Sequence, residues 1–329
     1  MSTKIIATIG PASSTLKQLQ AMMHGGMDIA RINCSHGTPA DIRARVALIR
    51  RAAKSIHRKV DIMLDLQGPR LRVSNIPTSG RQLTDGEMVI FDTQNSTRRG
   101  VIHIEDPYLH QDIRAGHPLF LANGLLELMV TKVFETSIHA RVVHGGLLLN
   151  RKGVNVPQTQ LTTTGLTPKD IQDVKLGVQL GVEHIAMSFV QTAADVHRLR
   201  ALTGKKIHLV AKIEMAVALQ HLTDIIKSSD MVMVARGDLG CELPQEEVPF
   251  LQKNIIRLAK RHRRPAIVAT QMMMSMVNEP HPTRAEVSDV ANAVLDGASL
   301  VMLSDETAAG KYPVEAVTIM RRIVRRAEQ

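Results

Sequence analysis

Short unbroken apolar runs recur along the chain, separated by amphipathic segments of helical length. The runs occupy 5–9, 29–32, 62–66, 184–189, 207–213, 231–235, 266–270 and 300–303. Unbroken runs of this length suit strands buried on both faces of a parallel sheet. Between most of them apolar residues fall at helical spacing, as in Val287, Val290, Ala291, Val294 and Leu295, which share one helix face. Pro282-Thr283, with Glu286 three residues after the threonine, forms a capping box that marks where this helix starts. Segments 170–180 and 246–261 read the same way. Repeated strand–helix alternation of this kind predicts an α/β fold, a (β/α)8 barrel of the TIM type.

One interval breaks the rhythm. Between Leu66 and Pro168 the turn signals Asp85-Gly86, Ala122-Asn123-Gly124 and His144-Gly145-Gly146 punctuate short strand-like pieces. Among these pieces, 125–130 and 138–143 read as strands. The expected organisation is a barrel built from 1–69 and 153–329, with a small all-β domain inserted over 70–152. Barrel active sites lie where the strands end, so an insert on that face is a candidate lid.

Composition narrows the partners. Aromatic residues make up only 2% of the chain, so aliphatic residues and the 17 methionines must fill the core. The net charge of +10 favours anionic ligands. Its basic stretches (Arg43, Arg45, Arg50, Arg51, Lys54 and Arg58; 260–264; 321–326) all fall in helix-like patterns. Solvated helix faces account for them, and the scarcity of aromatics removes the stacking platforms of single-strand binders; nucleic acid is not an expected partner. Cys34 and Cys241 are too few for a disulfide framework or a zinc site. The first residues lack the features of a signal peptide, and no apolar stretch approaches a membrane span, so a cytoplasmic setting without a membrane partner is expected.

The chemistry gathers at the strand ends. The fifth run ends in Lys212 and Glu214, the sixth in Arg236, Gly237 and Asp238. Two carboxylates can hold a divalent cation through oxygen, and a lysine with an arginine can hold a phosphate or an enolate. Other ends add Arg31, Asn33, Ser35 and His36; Asp65 with the following Gly68-Pro69-Arg70-Leu71-Arg72; Ser188-Phe189; Thr270-Gln271; and Ser304-Asp305-Glu306-Thr307. Such a set equips a site to move a phosphoryl group or stabilise an enolate. Blander roles compete: strand-end salt bridges, helix caps for Asn33, Ser35 and His36, and β propensity for Thr270.

These residues lie in segments that together resemble the pyruvate kinase family over nearly the full length. The segments are Lys4-Ile5-Ile6-Ala7-Thr8-Ile9-Gly10-Pro11, Arg31-Ile32-Asn33-Cys34-Ser35-His36-Gly37, Lys152-Gly153-Val154-Asn155-Val156-Pro157, Lys212-Ile213-Glu214, 235–240, Ala269-Thr270-Gln271-Met272, 282–286, 288–294 and Glu306-Thr307-Ala308. The resemblance implies transfer of the phosphoryl group of phosphoenolpyruvate to ADP, giving pyruvate and ATP, with Mg2+ or Mn2+. It implies that Lys212, Thr270 and Arg31 are catalytic and that Glu214 and Asp238 bind the metal. Gly237, Asp238, Thr270 and Ser188 would bind substrate, and His36 and Arg72 the nucleotide. Asn33, Ser35, Asp65 and Leu66 match the family's monovalent-cation pocket. A homo-oligomer, dimer or tetramer, is also implied.

The chain departs from the family's pattern at Leu66, Gln67 and Arg70, where threonine, lysine and glutamate are usual. Arg70 resembles the variants in which a fixed cation replaces potassium, so no potassium requirement is expected. Ala122 and Asn123 replace an acidic pair, Gln191 and Thr192 replace basic residues, Met274 replaces a glutamate and Asp305 a glycine. The enolate side is intact and the nucleotide side altered. Two rival readings follow: a phosphoenolpyruvate or pyruvate-enolate enzyme with another acceptor or with lyase or tautomerase activity, and a non-catalytic binding protein. The family's usual third domain, which carries its allosteric site, is not expected in a chain ending at Gln329.

Overall fold

A computed structural model describes residues 2–329 apart from 36, 95–97, 99, 158 and 164. Eight parallel strands close into a barrel: β1 (Lys4–Thr8), β2 (Ile29–Asn33), β3 (Asp61–Asp65), β4 (His184–Met187), β5 (His208–Ile213), β6 (Met231–Ala235), β7 (Ala266–Ala269) and β8 (Leu300–Leu303). Strand order follows the chain, and β1 closes the ring by pairing with both β2 and β8.

Alternation along each strand sorts side chains into two cores. One set points inward: Ile6, Ile29, Met63, Ala186, Val210, Met233, Ile267, Leu300 and Met302 meet around the axis. The other set, with Ile5, Ala7, Ile32, Leu64 and Val234 among it, packs against the surrounding helices. Aliphatic residues, methionine and Cys34 fill both, with no phenylalanine or tyrosine among them, as the composition requires. The loop after β1 closes tightly on the helix after β8. A Cβ at Gly10 would stand 2.5 Å from the Ala308 carbonyl oxygen, so no larger residue fits there.

The expected capping box is present. Thr283 Oγ1 accepts from Glu286 N at 3.2 Å, the Glu286 carboxylate accepts from Thr283 N at 2.7 Å, and the helix runs Arg284–Leu295. Two expected elements end differently. The run at 184–189 leaves the strand after Met187, because Phe189 turns to φ 54°. The segment at 246–261 opens as a 3-10 turn, Gln245–Glu247, and becomes α-helical over Val248–Arg261.

Between β3 and β4 the chain builds a seven-stranded sheet in the order Val154–Asn155, Pro118–Leu121, Leu126–Val133, Ser137–His144, Met88–Asp92, Ile102–Ile104, Val73–Ser74. Its core includes Val73, Phe91, Leu119, Leu128 and Ile138. Met215, just after β5, packs into that same core, which anchors the inserted sheet over the strand ends. The turn at Ala122, Asn123 and Gly124 takes positive φ throughout (53°, 60° and 84°), the conformation its sequence signalled.

Candidate active site

Two residues beyond the inward apolar layer, the same strands switch to chemistry. Thr8 follows Ile6, Arg31 follows Ile29, Asp65 follows Met63, Ser188 follows Ala186, and Lys212 follows Val210. A period of two aims all of them at the barrel axis. Thr8 was missed in the sequence, yet its parity with Ile6 would have found it.

Lys212 is the centre of this group. Its Nζ donates to Ser188 Oγ at 2.7 Å and lies 2.8 Å from Glu214 Oε1 and 3.1 Å from Asp65 Oδ1. Ser188 in turn donates to the Leu66 carbonyl at 2.8 Å. Arg31 reaches Asp65 Oδ2 through Nε at 2.7 Å and Thr8 Oγ1 through Nη1 at 2.8 Å. Glu214 Oε2 accepts from Phe189 N at 2.6 Å, the contact that the positive φ of Phe189 permits. Buried Lys212 and partly buried Arg31 thus face two buried carboxylates. Burial opposes charge on Lys212 and Asp65, but the pairing prevails at both: Asp65 and Glu214 raise the pKa of Lys212, and Lys212 and Arg31 lower that of Asp65.

Glu214 behaves otherwise. Burial, with the charge of Asp238 added, pushes its pKa up against the pull of Lys212. Two carboxylates held in mutual repulsion, offering only oxygen, fit a hard divalent cation that would relieve the repulsion. Among the described residues no group of three or more His, Cys, Asp or Glu gathers as a metal cluster, so any such ion would rely on this pair and on oxygens from substrate or water.

Thr270 follows β7 directly at φ 70°, with Gln271 next at φ 53°. A β-branched residue there is strained, and such strain concentrates at functional positions. Its hydroxyl accepts from Gly237 N at 2.7 Å and donates to the Ala269 carbonyl at 2.6 Å. Arg236 holds this turn from beneath. It donates to the Thr270 carbonyl at 2.6 Å and the Ala269 carbonyl at 3.2 Å, and grips Asp289 at 2.7 and 2.8 Å. Arg236 was expected beside an anion; the anion it meets is the Asp289 carboxylate, and its bonds brace the turn while the residue also borders the cavity. Glu306 is likewise structural: wholly buried, its carboxylate accepts from Met273 N at 3.1 Å and Ser304 N at 2.7 Å.

Asn33 sits opposite Asp65 in the β2–β3 register, and its Oδ1 accepts from Ser35 N at 3.0 Å. Arg70 Nη2 lies 3.8 Å from Asp238 Oδ1, while the cations paired with Asp65 are Arg31 and Lys212. Arg72 stands at the crossing into the inserted sheet and donates to the Arg151 carbonyl at 2.9 Å. His36 lies outside the described residues. A polar cavity of about 600 Å³ opens beside the site, lined by Arg70, Asn123, Gly237, Asp238, Cys241 and Gln271 among others.

Glu242 gave no sequence signal. It is buried, accepts from Asn155 Nδ2 at 3.1 Å, and burial pushes its pKa to about 7. An acid whose folded value lies above its unfolded one stabilises the fold at low pH and loses that advantage as pH rises. A value of about 7 against 4.5 corresponds to a loss of about 3 kcal/mol between pH 4.5 and 7. Urea unfolding of the metal-free protein at pH 5 and pH 8 should show this fall, and Glu242→Gln should flatten it by a similar amount.

The family profile described as "Pyruvate kinase, barrel domain" matches residues 1–317. A protein of Agrobacterium vitis named "Pyruvate kinase" is 44% identical over 328 residues, covering 99% of this chain and 69% of that protein. One of Geobacillus stearothermophilus with the same name is 43% identical over 334 residues, covering 99% of this chain and 57% of its own length. One of Thermococcus litoralis is 39% identical over 331 residues, covering 99% and 70%.

Proposed function

The chain belongs to the pyruvate kinase family, and we propose that it transfers the phosphoryl group of phosphoenolpyruvate to ADP, giving pyruvate and ATP. The observation that carries the reading is Lys212, held charged among Ser188, Asp65 and Glu214 at the C-terminal mouth of the barrel. An oxygen of the ADP terminal phosphate attacks phosphorus, the bond to the enolate oxygen breaks, and the enolate carbon then takes a proton. Lys212 lies where it can follow negative charge from phosphoryl group to enolate oxygen, a fixed charge that needs no reorganisation. Arg31 contacts the transferring group, and Ser188, Gly237 and Asp238 help hold the substrate. Both bonds of the Thr270 hydroxyl are made within the protein, and a hydroxyl is a poor acid at neutral pH. Thr270 therefore orients a water that delivers the proton.

Glu214 and Asp238 would hold Mg2+ or Mn2+, which supplies Lewis-acid charge at the substrate oxygens. Arg72 and His36 serve the nucleotide, and the inserted sheet over 70–152 acts as a lid. The fixed charge of Arg70 near Asp238, with Arg31 and Lys212 on Asp65, supports a site that needs no potassium in its Asn33, Ser35, Asp65 and Leu66 pocket. Turnover in potassium, sodium or tetramethylammonium salts should agree within about twofold, a barrier difference of about 0.4 kcal/mol. Arg70→Glu should introduce a dependence. Large saturable activation of the unaltered chain by potassium would overturn this.

A cytoplasmic homo-oligomer is proposed with this activity. Among the described residues no helix is long and apolar enough to cross a membrane.

The deciding experiment measures pyruvate from phosphoenolpyruvate with metal, with and without ADP. ADP-dependent pyruvate with matching ATP is expected. Asn123, on the cavity wall where the family carries an acidic pair, favours one rival, an enzyme with another acceptor. Exchange of pyruvate methyl protons without ADP-dependent turnover would select that rival; substrate binding with neither activity would leave a binding protein.

A further inference from the structure

Two chain crossings join the barrel to the inserted sheet, and they are bonded to each other. Val73 N donates to the Lys152 carbonyl at 2.9 Å, Val154 N donates to the Leu71 carbonyl at 3.1 Å, and Arg72 bridges Gly153. This two-stranded ribbon is the hinge on which any lid movement must turn. Ribbon alone leaves the hinge angle soft, because neither crossing packs a long strand against the barrel.

Among the described residues two barrel side chains hold the returning chain by hydrogen bond: Gln191 Nε2 donates to the Leu161 carbonyl at 3.4 Å, and within the ribbon itself the hold comes from Glu242. Asn155, paired with Phe120 of the inserted sheet, donates its side-chain amide to Glu242 Oε1 at 3.1 Å. The other oxygen faces Ala216 N at 3.5 Å. Glu242 is 6% exposed and has no salt-bridge partner among the described residues. A buried carboxylate without a cation is costly, and hydrogen bonds to it are stronger than neutral ones. Losing the Asn155 contact would therefore leave a group the fold tolerates poorly.

Glu242 closes the short helix Arg236–Glu242, one turn from Asp238. Residues four apart share a helix face. Asp238 and Glu242 accordingly line one small void with Arg70, Asn155, Phe189 and Met215, the groups that join hinge, site and inserted core. Met215 belongs to the inserted core, next in sequence to Glu214. Site and hinge thus meet across one helical turn.

We propose that Glu242 is a positioning residue that sets the angle of the lid through Asn155, coupling closure to the helix that carries Asp238. This rests on the reading of 70–152 as a lid over a phosphotransfer site. The coupling is a matter of geometry: when the lid rotates, Asn155 moves against a carboxylate fixed to the Asp238 helix.

The test begins with amide hydrogen exchange of the ligand-free protein, which needs no activity. In Glu242→Ala and in Asn155→Ala, exchange at 71–73 and 153–156 should rise about tenfold while β5 and β6 keep their protection. Glu242→Gln, which retains an acceptor for Asn155, should stay near the unaltered rate, and the double alanine variant should be no faster than either single one. Kinetics follow: the ADP concentration for half-maximal rate should rise about tenfold in the alanine variants, with pyruvate methyl-proton exchange within about twofold. Unchanged hinge exchange, equal loosening of β5 and β6, or additive effects in the double variant would overturn the proposal. If hinge exchange responds as expected but no variant, nor the unaltered chain, shows ADP-dependent transfer, the hinge role stands and the phosphotransfer reading falls.

Discussion

Lys212→Met is expected to lower turnover by about a thousandfold, the scale of removing one preorganised charge at a developing anion. Methionine matches lysine in length, so packing around β5 survives while the charge goes. The consequences for stability are as direct. Lys212 is the cation shared by Asp65 and Glu214. Without it Asp65 keeps Arg31, but among the described residues Glu214 keeps only the amide of Phe189. Breaking a buried pair on one side costs about 3–5 kcal/mol. The deficit should shrink as pH falls, because Glu214, already pushed up by burial and by Asp238, then takes a proton and its uncompensated charge disappears. Turnover and urea unfolding at pH 5 and 8 check both halves. Full activity in the variant would refute the role given to Lys212.

Arg236→Met should damage both stability and turnover. The guanidinium grips Asp289 and holds the carbonyls of Ala269 and Thr270. Its removal leaves Asp289 without a cation among the described residues and releases a turn that holds a threonine at φ 70°. Such a conformation costs about 1–3 kcal/mol and persists only where neighbours impose it. A loss of about 3 kcal/mol in unfolding free energy is expected, in line with a broken partly buried pair. The proton-delivery half of the reaction should suffer most, because the Thr270 hydroxyl loses its place on Gly237 N. Phosphoryl transfer and methyl-proton exchange should therefore separate, with exchange falling further. Equal loss in both would show that Arg236 acts on the whole site and not through Thr270.

Much of the architecture was legible in the chain. Apolar runs at 5–9 and 300–303 lie within an element or a residue of β1 and β8 because a strand buried on both faces leaves no polar alternation to confuse it. The capping box at Thr283 was legible because its partners are three residues apart. Strand ends advertised Lys212, Glu214, Arg31 and Asp65, since charge cannot continue into a packed sheet. What failed was the sorting of charges once found. Arg236 and Glu306 share the strand-end address of Lys212 and Asp238, yet one supports a loop and the other binds backbone amides. Glu242 was overlooked because its partner, Asn155, lies 87 residues away.

The sequence by itself determined the barrel, the β insert and the end of the barrel at which chemistry collects. Each depends on spacing within a few residues and on the refusal of buried strands to accept charge. Only the tertiary structure decided which charges face the axis, which brace the turns beneath it, and that the Asp238 helix also meets the paired crossings into the inserted sheet. A charge takes its role from the partner it finds in space, and here those partners come from separate strands and loops whose meeting no local spacing records.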